Sequence, residues 1–222
     1  MSYILHLETA TKVCSVALSL DGKLVQLKES FDEQYSHGEN LTLFIEEVLK
    51  LQGISVQKLN AISISSGPGS YTGLRIGVSV AKGICYSLNI PLIAIDSLNC
   101  LFELAKEKYS NSTIIPMIDA RRMEVFCSVF QNNIQTQAIK AEILEENSFQ
   151  ELGPFVVCGD ACQKLVPFWA NRNVILDSNI LSSAKGQVQL AFQKFTNSEF
   201  ENLAYFEPFY LKDFVTKQKI KE

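Results

Sequence analysis

Residues 66–77 read Ser-Gly-Pro-Gly-Ser-Tyr-Thr-Gly-Leu-Arg-Ile-Gly, a glycine loop between an apolar, strand-like run (61–65) and a helix-like run (71–88). Strand, glycine turn and helix in that order form the repeating unit of α/β folds, and phosphate loops sit at the same junction. The spacing fits neither phosphate motif. A Walker loop needs Gly-Lys-Ser/Thr, and the nearest downstream lysine is Lys82, well inside the helix. A dinucleotide fingerprint needs Gly-x-Gly-x-x-Gly, whereas Gly67, Gly69 and Gly73 leave one residue too many. Amides at a helix start still attract anions, which leaves Gly67, Gly69, Ser70 and Thr72 as a weak anion- or nucleotide-proximal set.

The glycines also continue into a pattern. Gly69, Gly73, Gly77, Ala81 and Cys85 recur every four residues and draw a stripe of small side chains along the helix, which lets another backbone come close. Ile76, Val80, Ile84 and Leu88 form a second stripe, and Leu74 and Val78 a third. A helix apolar so far round its circumference is covered on more than one side. Its own sheet covers one. The other is covered either by the helix expected over 37–52, with apolar residues at Leu41, Phe44, Ile45, Val48 and Leu49, or by a partner that both helices meet.

Outward from this centre the chain repeats a theme. Strands are expected over 3–9, 13–20 and 23–30, with Asp21-Gly22 as a hairpin turn. A strand at 90–95 and a helix at 97–108, with Ser97 as N-cap, complete the first half. The second half opens with strands at 113–118, 123–130 and 134–144, the last pair joined by Asn132-Asn133. Strand 155–158, helix 160–168, strand 173–176 and helix 181–195 follow. Each half runs hairpin-rich β and then alternating helix and strand, which implies two α/β lobes of related order. The expected division is 1–100 for the first lobe and 101–205 for the second, with 206–222 returning to the first.

Composition narrows the function classes. With 222 residues, 47% hydrophobic and 20% charged, the chain can bury a core of ordinary size. Its formal charge of −4 argues against gripping nucleic acid unaided. Glu8 interrupts the only apolar run near the start, so no leader or membrane span is expected. The six cysteines are scattered and lack metal or redox spacing, which fits buried reduced thiols and a cytoplasmic protein.

Four segments together carry a family resemblance: Leu-Glu-Thr-Ala-Thr at 7–11, the glycine loop, Asp-Ala-Arg-Arg-Met-Glu-Val-Phe at 119–126 and Pro-Phe-Tyr-Leu-Lys at 208–212. With them the chain resembles the TsaB family, also called YeaZ, over essentially its whole length. The resemblance implies a two-lobed actin-like fold, the class of actin and the sugar kinases, and kinship with the TsaD enzymes. It further implies a subunit of the bacterial machinery that forms N6-threonylcarbamoyladenosine at position 37 of tRNAs reading ANN codons. There TsaD is the catalytic subunit, TsaE an ATPase, and TsaB a required non-catalytic partner. ATP is used by the partner complex, tRNA is met only through it, and no cofactor or metal belongs to the subunit itself. Members pair through helices equivalent to 37–52 and 71–88, with TsaD or as homodimers when alone. Carried onto this sequence, the partner-binding positions are His37, Leu41, Phe44, Ile45, Gly73, Leu74, Ile76, Gly77, Val80 and Ala81. The first strand departs from the family, ending in Glu8-Thr9 where Asp-Thr is usual.

Chemistry is expected to be absent. Zinc-type catalysis on a helix needs two histidines a turn apart, and the chain has only His6 and His37. His6 is expected as a packed, hydrogen-bonded core residue and His37 at a surface or interface. Ser65, Ser66 and Ser70 lie near glycines but form no nucleophile elbow, and both histidines come early in the chain, so a peptidase reading lacks its nucleophile–base pair. Asp119, Arg121 and Glu124 suit an ion-paired corner, and Lys212–Glu222 a solvated tail. The alternative function is a stand-alone actin-like phosphotransferase or ATPase.

Overall fold

The computed structural model describes residues 1–31 and 37–211, with the backbone alone for His37. The tail 212–222 lies outside the described residues. The first lobe is built from β1 (Tyr3–Glu8), β2 (Val13–Leu20), β3 (Lys23–Phe31), α1 (His37–Gln52), β4 (Leu59–Gly67), α2 (Tyr71–Leu88) and β5 (Leu92–Asp96). A bridging helix α3 (Ser97–Lys106) leads to β6 (Thr113–Asp119), β7 (Glu124–Gln131), β8 (Ile134–Ile143), β9 (Phe155–Cys158), α4 (Cys162–Leu165), β10 (Val174–Asp177) and α5 (Val188–Thr196).

The two sheets have one topology. The first runs β3-β2-β1-β4-β5, and the second, read from its β8 edge, β8-β7-β6-β9-β10. In each, three antiparallel strands are followed by two strands parallel to the first strand of the meander. Duplicated in this way, the chain has the two-lobed actin-like fold. Both hairpin turns follow from local chemistry: Asp21 and Gly22 have φ of 48° and 75°, and Asn132 and Asn133 have 51° and 62°. Two successive left-handed residues make the tight turn whose twist matches the strands, and Asn, Asp and Gly tolerate it best.

Strand β1 lies at the centre of its sheet and is buried on both faces. Alternation puts Leu5 and Leu7 on the face covered by α1 and α2, within a cluster that includes Val16, Leu41, Val48, Ile64 and Val78. Ile4 lies in the opposite cluster with Ile93, Ile95 and Ala191, beneath α5. The second lobe has its own core around Met117, Val129, Phe155 and Trp169. Helix α3 fills the space between the lobes, its Leu98, Leu101 and Phe102 packing against Ile114, Ile118 and Phe130.

Three expectations need correction. Helix 160–168 is only α4, because Pro167 has no N–H to donate and disfavours helix at Val166. Helix 181–195 begins late: Ser183 is extended, a 3-10 turn spans Ala184–Gln187, and α5 follows. The cap of α3 is Asp96 rather than Ser97, its carboxylate accepting from the N–H groups of Leu98 and Asn99 at 2.8 Å each. Residues 184–196 already pack on the first sheet, where Ala191 joins Ile4 and Ile93.

Candidate functional site

The glycine loop closes over the chain's own backbone. Ser70 donates its N–H to Ala10 O at 2.6 Å, and the Ser70 hydroxyl accepts from Gly73 N–H at 3.3 Å as the N-cap of α2. A side chain at Gly69 would strike the carbonyl of Ala10 and stand 2.7 Å from its Cβ. At Gly67, with φ of 107°, a Cβ would stand 2.7 Å from Phe209 O, and Phe209 N–H donates to Ser66 O at 2.7 Å. The amides of Ser70, Gly73 and Leu74 are therefore spent inside the chain. Through Gly67, Gly69 and Ser70 the loop seats the β1–β2 connection and the C-terminal segment. Thr72, the fourth residue of the expected anion-proximal set, is exposed.

The small-residue stripe also turns inward. Gly73, Gly77, Ala81 and Cys85 are buried, and a Cβ at Gly77 would strike Thr9 Oγ1 and stand 2.9 Å from Ile64 Cδ1. Thr9 meanwhile donates its hydroxyl to Gly73 O at 2.8 Å, tying α2 to the end of β1. Leu74 is buried with them, and Leu41, Phe44 and Ile45 of α1 are buried in the same lobe. Of the ten expected partner-binding positions, these seven (Leu41, Phe44, Ile45, Gly73, Leu74, Gly77 and Ala81) form the chain's own core. Ile76 and Val80 are half-buried on the rim of that core, and the side chain of His37 lies outside the described residues. The physical reason is general: the apolar stripe of an amphipathic helix marks its inner face.

The outer face is made up of the residues that complement the stripe. On α2 it carries Thr72, Ser79 and Gly83, with Ile76 and Val80 along one flank and Tyr86 along the other; on α1 it carries Leu43 and Leu51, both exposed. A Cβ at Gly83 would meet nothing within 4 Å, and this glycine sits in the middle of a helix with no intrachain need for it. Glycine there costs roughly 1 kcal/mol of helix stability relative to alanine.

On the opposite face of the sheet, on the α5 side, lies a buried polar network. Gln187, from the turn before α5, donates Nε2–H to Leu7 O at 2.7 Å and accepts from the Ser63 hydroxyl. With its proton committed, Ser63 accepts from His6 Nδ1–H at 3.0 Å, so His6 Nε2 accepts from the Ser19 hydroxyl at 2.8 Å. Every ring nitrogen is used, and burial holds the imidazole neutral, its pKa lowered to about 3. His6 is thus a core residue. Next to it Glu8 Oε1 accepts from Ala10 N–H at 2.7 Å and the Ser65 hydroxyl at 2.8 Å, while Oε2 is buried without a partner. Burial raises this carboxyl to about 7, against the pull of its hydrogen bonds. A fully buried carboxyl that holds its proton up to about pH 7 is a poor ligand for a metal–nucleotide.

The second lobe's corner is ion-paired through a residue the sequence did not suggest. Lys164 of α4 reaches Asp119 Oδ1 at 2.5 Å, Arg122 O at 3.0 Å and Glu124 O at 2.6 Å. Arg121 donates its N–H to Asp119 at 2.8 Å and, like Arg122, has positive φ. All six cysteines are buried; Cys14 is raised to about 11 and Cys85, Cys127 and Cys162 to about 12, so none of these four is a thiolate. Among the described residues no three His, Cys, Asp or Glu side chains converge as a metal site, and no helix is long and apolar enough to cross a membrane.

Known proteins share this arrangement. Residues 32–166 match the family model described as TsaD: tRNA N6-adenosine threonylcarbamoyltransferase. Over 227 residues the chain is 30% identical to the tRNA threonylcarbamoyladenosine biosynthesis protein TsaB of Escherichia coli (strain K12), covering 98% of this chain and 97% of that protein. A stretch of 63 residues is 40% identical to the tRNA N6-adenosine threonylcarbamoyltransferase of Phocaeicola vulgatus, 28% of this chain and 19% of that one. The solved structure of YeaZ from Pseudomonas aeruginosa superposes with a TM-score of 0.78 at 26% identity, over 95% of this chain and 100% of that one.

Proposed function

This chain belongs to the TsaB family of tRNA threonylcarbamoyladenosine biosynthesis proteins, and from that premise we propose that it acts as a docking subunit without chemistry of its own. Its partner is a TsaD-type threonylcarbamoyltransferase, assisted by a TsaE-type ATPase, acting on position 37 of tRNAs that read ANN codons. The observation that carries the reading is the outer face of α1 and α2. Thr72, Ser79 and Gly83 form a low crest, and the open space over Gly83 suits a second backbone at close range. The match to the TsaD model spans both helices. Related chains that carry the same helix pair can join like surface to like surface about a pseudo-twofold axis. The same geometry allows a homodimer when the partner is lacking.

The groups a catalyst would need are committed elsewhere. His6 and Glu8 are sealed in the core, and the loop amides of Ser70, Gly73 and Leu74 are paired within the chain. The reading excludes ATP turnover by the chain alone. Purified chain with ATP and magnesium is expected to release no phosphate above the protein-free blank. In a reconstituted tRNA threonylcarbamoylation assay the chain is expected to be required, and Glu8→Gln to support the wild-type rate. Magnesium-dependent ATP turnover by the isolated chain, lost in Glu8→Gln, would instead establish a phosphotransferase.

A further inference from the structure

After α5 the chain crosses to the outer side of the first lobe and runs along α2 as a strap. Glu201 N–H donates to Leu92 O at 2.9 Å near the C-terminal end of α2. Leu203 and Phe206 pack into the first-lobe core, and Lys82 Nζ donates to Ala204 O at 3.2 Å and Phe206 O at 3.1 Å. At the other end Phe209 N–H reaches Ser66 O, and Arg75 Nε donates to the Tyr210 hydroxyl at 3.2 Å. The Arg75 guanidinium lies 3.9 Å from the Tyr71 ring centre and 5.8 Å from that of Tyr210. The strap is therefore pinned at four places along its length.

Helix geometry sets where it lies. Tyr71, Arg75, Lys82 and Tyr86 are spaced by four, seven and four residues, which puts them on one flank of α2. Ile76, Val80 and Ile84 occupy the opposite flank, packed on the core shared with α1. The exposed crest is thus bordered by α1 on one side and the strap on the other. On the strap side Tyr86 and Tyr205 are each 84% exposed and Phe209 is 48% exposed, although Tyr205 stands between the two carbonyls that Lys82 holds. Large aromatic side chains on a fixed backbone lose little freedom on binding and bury much area, the usual make-up of an interface hot spot.

We propose that the strap and α2 form one docking surface, and that the TsaD-type subunit engages Tyr86, Tyr205 and Phe209 along this flank as well as the α1/α2 crest. The inference rests on the proposed function, and its occupant follows from continuity with that crest. A protein partner also fits the charges. Arg75 and Lys82 form no ion pair among the described residues, the strap whose carbonyls Lys82 holds carries Glu201 and Glu207, and the chain carries −4 overall. Such a balance does not favour a phosphate backbone.

The test is the affinity of the double variant Tyr86→Ala/Tyr205→Ala for purified TsaD-type subunit, with Gly83→Arg on the crest as the comparison. Truncating two such aromatics is expected to weaken pairing by about ten- to a hundredfold. The melting temperature should not move, since both rings are mostly in solvent. Unchanged affinity in the double variant, with pairing lost in Gly83→Arg, would place the strap outside the interface and leave the proposed function standing. Unchanged affinity in both variants would remove the pairing surface itself. If the double variant pairs normally but the assembled complex binds tRNA less tightly, the flank faces RNA and the proposal is wrong.

Discussion

Gly77→Leu is expected to yield a chain that does not fold stably. The first added carbon would strike Thr9 Oγ1 and press on Ile64 Cδ1 at 2.9 Å, and three more carbons follow it into the seam between α2 and the sheet. Relieving the clash pushes α2 away and breaks the bond from the Thr9 hydroxyl to Gly73 O. Overpacking a filled core costs about 1–3 kcal/mol for modest insertions, against a total stability of about 5–15 kcal/mol. For a chain of this length each kcal/mol is worth about 2–4 °C of melting temperature. Gly77→Ala should therefore melt several degrees below wild type and Gly77→Leu be insoluble or unfolded by circular dichroism. From the sequence alone, with the stripe taken as the interface, the same substitution would weaken pairing and spare the fold. A folded Gly77→Leu that merely fails to pair would restore that view.

The second large effect is a pH dependence built from two neighbouring core groups of opposite sign. Glu8 is raised from 4.5 to about 7, so the folded state holds its proton more tightly than the unfolded chain. Its contribution is fully present below pH 4.5 and is lost as pH rises through about 7. His6 is lowered from 6.5 to about 3, so its neutral form is favoured by folding. Its contribution is present above pH 6.5 and is lost as pH falls toward 3. Each amounts to a few kcal/mol, at about 1.4 kcal/mol per unit. Between pH 4.5 and 6.5 the two slopes oppose each other and flatten the profile, with Asp96, raised to about 6, adding to the Glu8 side. Glu8→Gln keeps an acceptor for Ala10 and Ser65 and removes one slope. Its stability relative to wild type, measured by urea unfolding, should climb by a few kcal/mol from pH 4 to pH 8. A difference that stays constant across that range would mean that Glu8 is ionised in the core.

How far the sequence reached can be seen residue by residue. The duplicated β-order was legible because Asp21-Gly22 and Asn132-Asn133 announce their turns and the strands alternate. Helices α1 and α2 were placed to the residue, since their stripes are long and Gly53 and the glycine loop bound them. Helix 160–168 was read too long because Pro167, which stops it after α4, was not weighed. His6 was correctly placed in the core, but its partners were not legible. Ser63 and Gln187 are 57 and 124 residues away from the atoms they bond, and only the fold brings them together. The same distance in sequence hid what the glycines meet. Nothing local says that Gly67 faces Phe209 or that Gly69 faces Ala10. With those contacts unknown, a stripe of small residues fits an outside partner as well as the chain's own sheet. A better signal was present in Gly83, which breaks helix propensity on the face opposite the apolar stripe, where the core cannot require it.

That residue offers the most direct test of the account, whose central claim is that this chain works by docking through the outer face of α1 and α2. Gly83→Arg should fold as well as wild type or slightly better, because arginine is the better helix former and the space around position 83 is open. The measurement is the affinity of this variant for the purified TsaD-type subunit, read together with tRNA threonylcarbamoylation over a range of variant concentrations. The account predicts pairing weakened by about a hundredfold or more. It also predicts that modification falls in step and recovers when the variant is supplied in excess, since only affinity has been removed. Wild-type affinity in Gly83→Arg, or modification that stays lost at concentrations where the pair has formed, would contradict it.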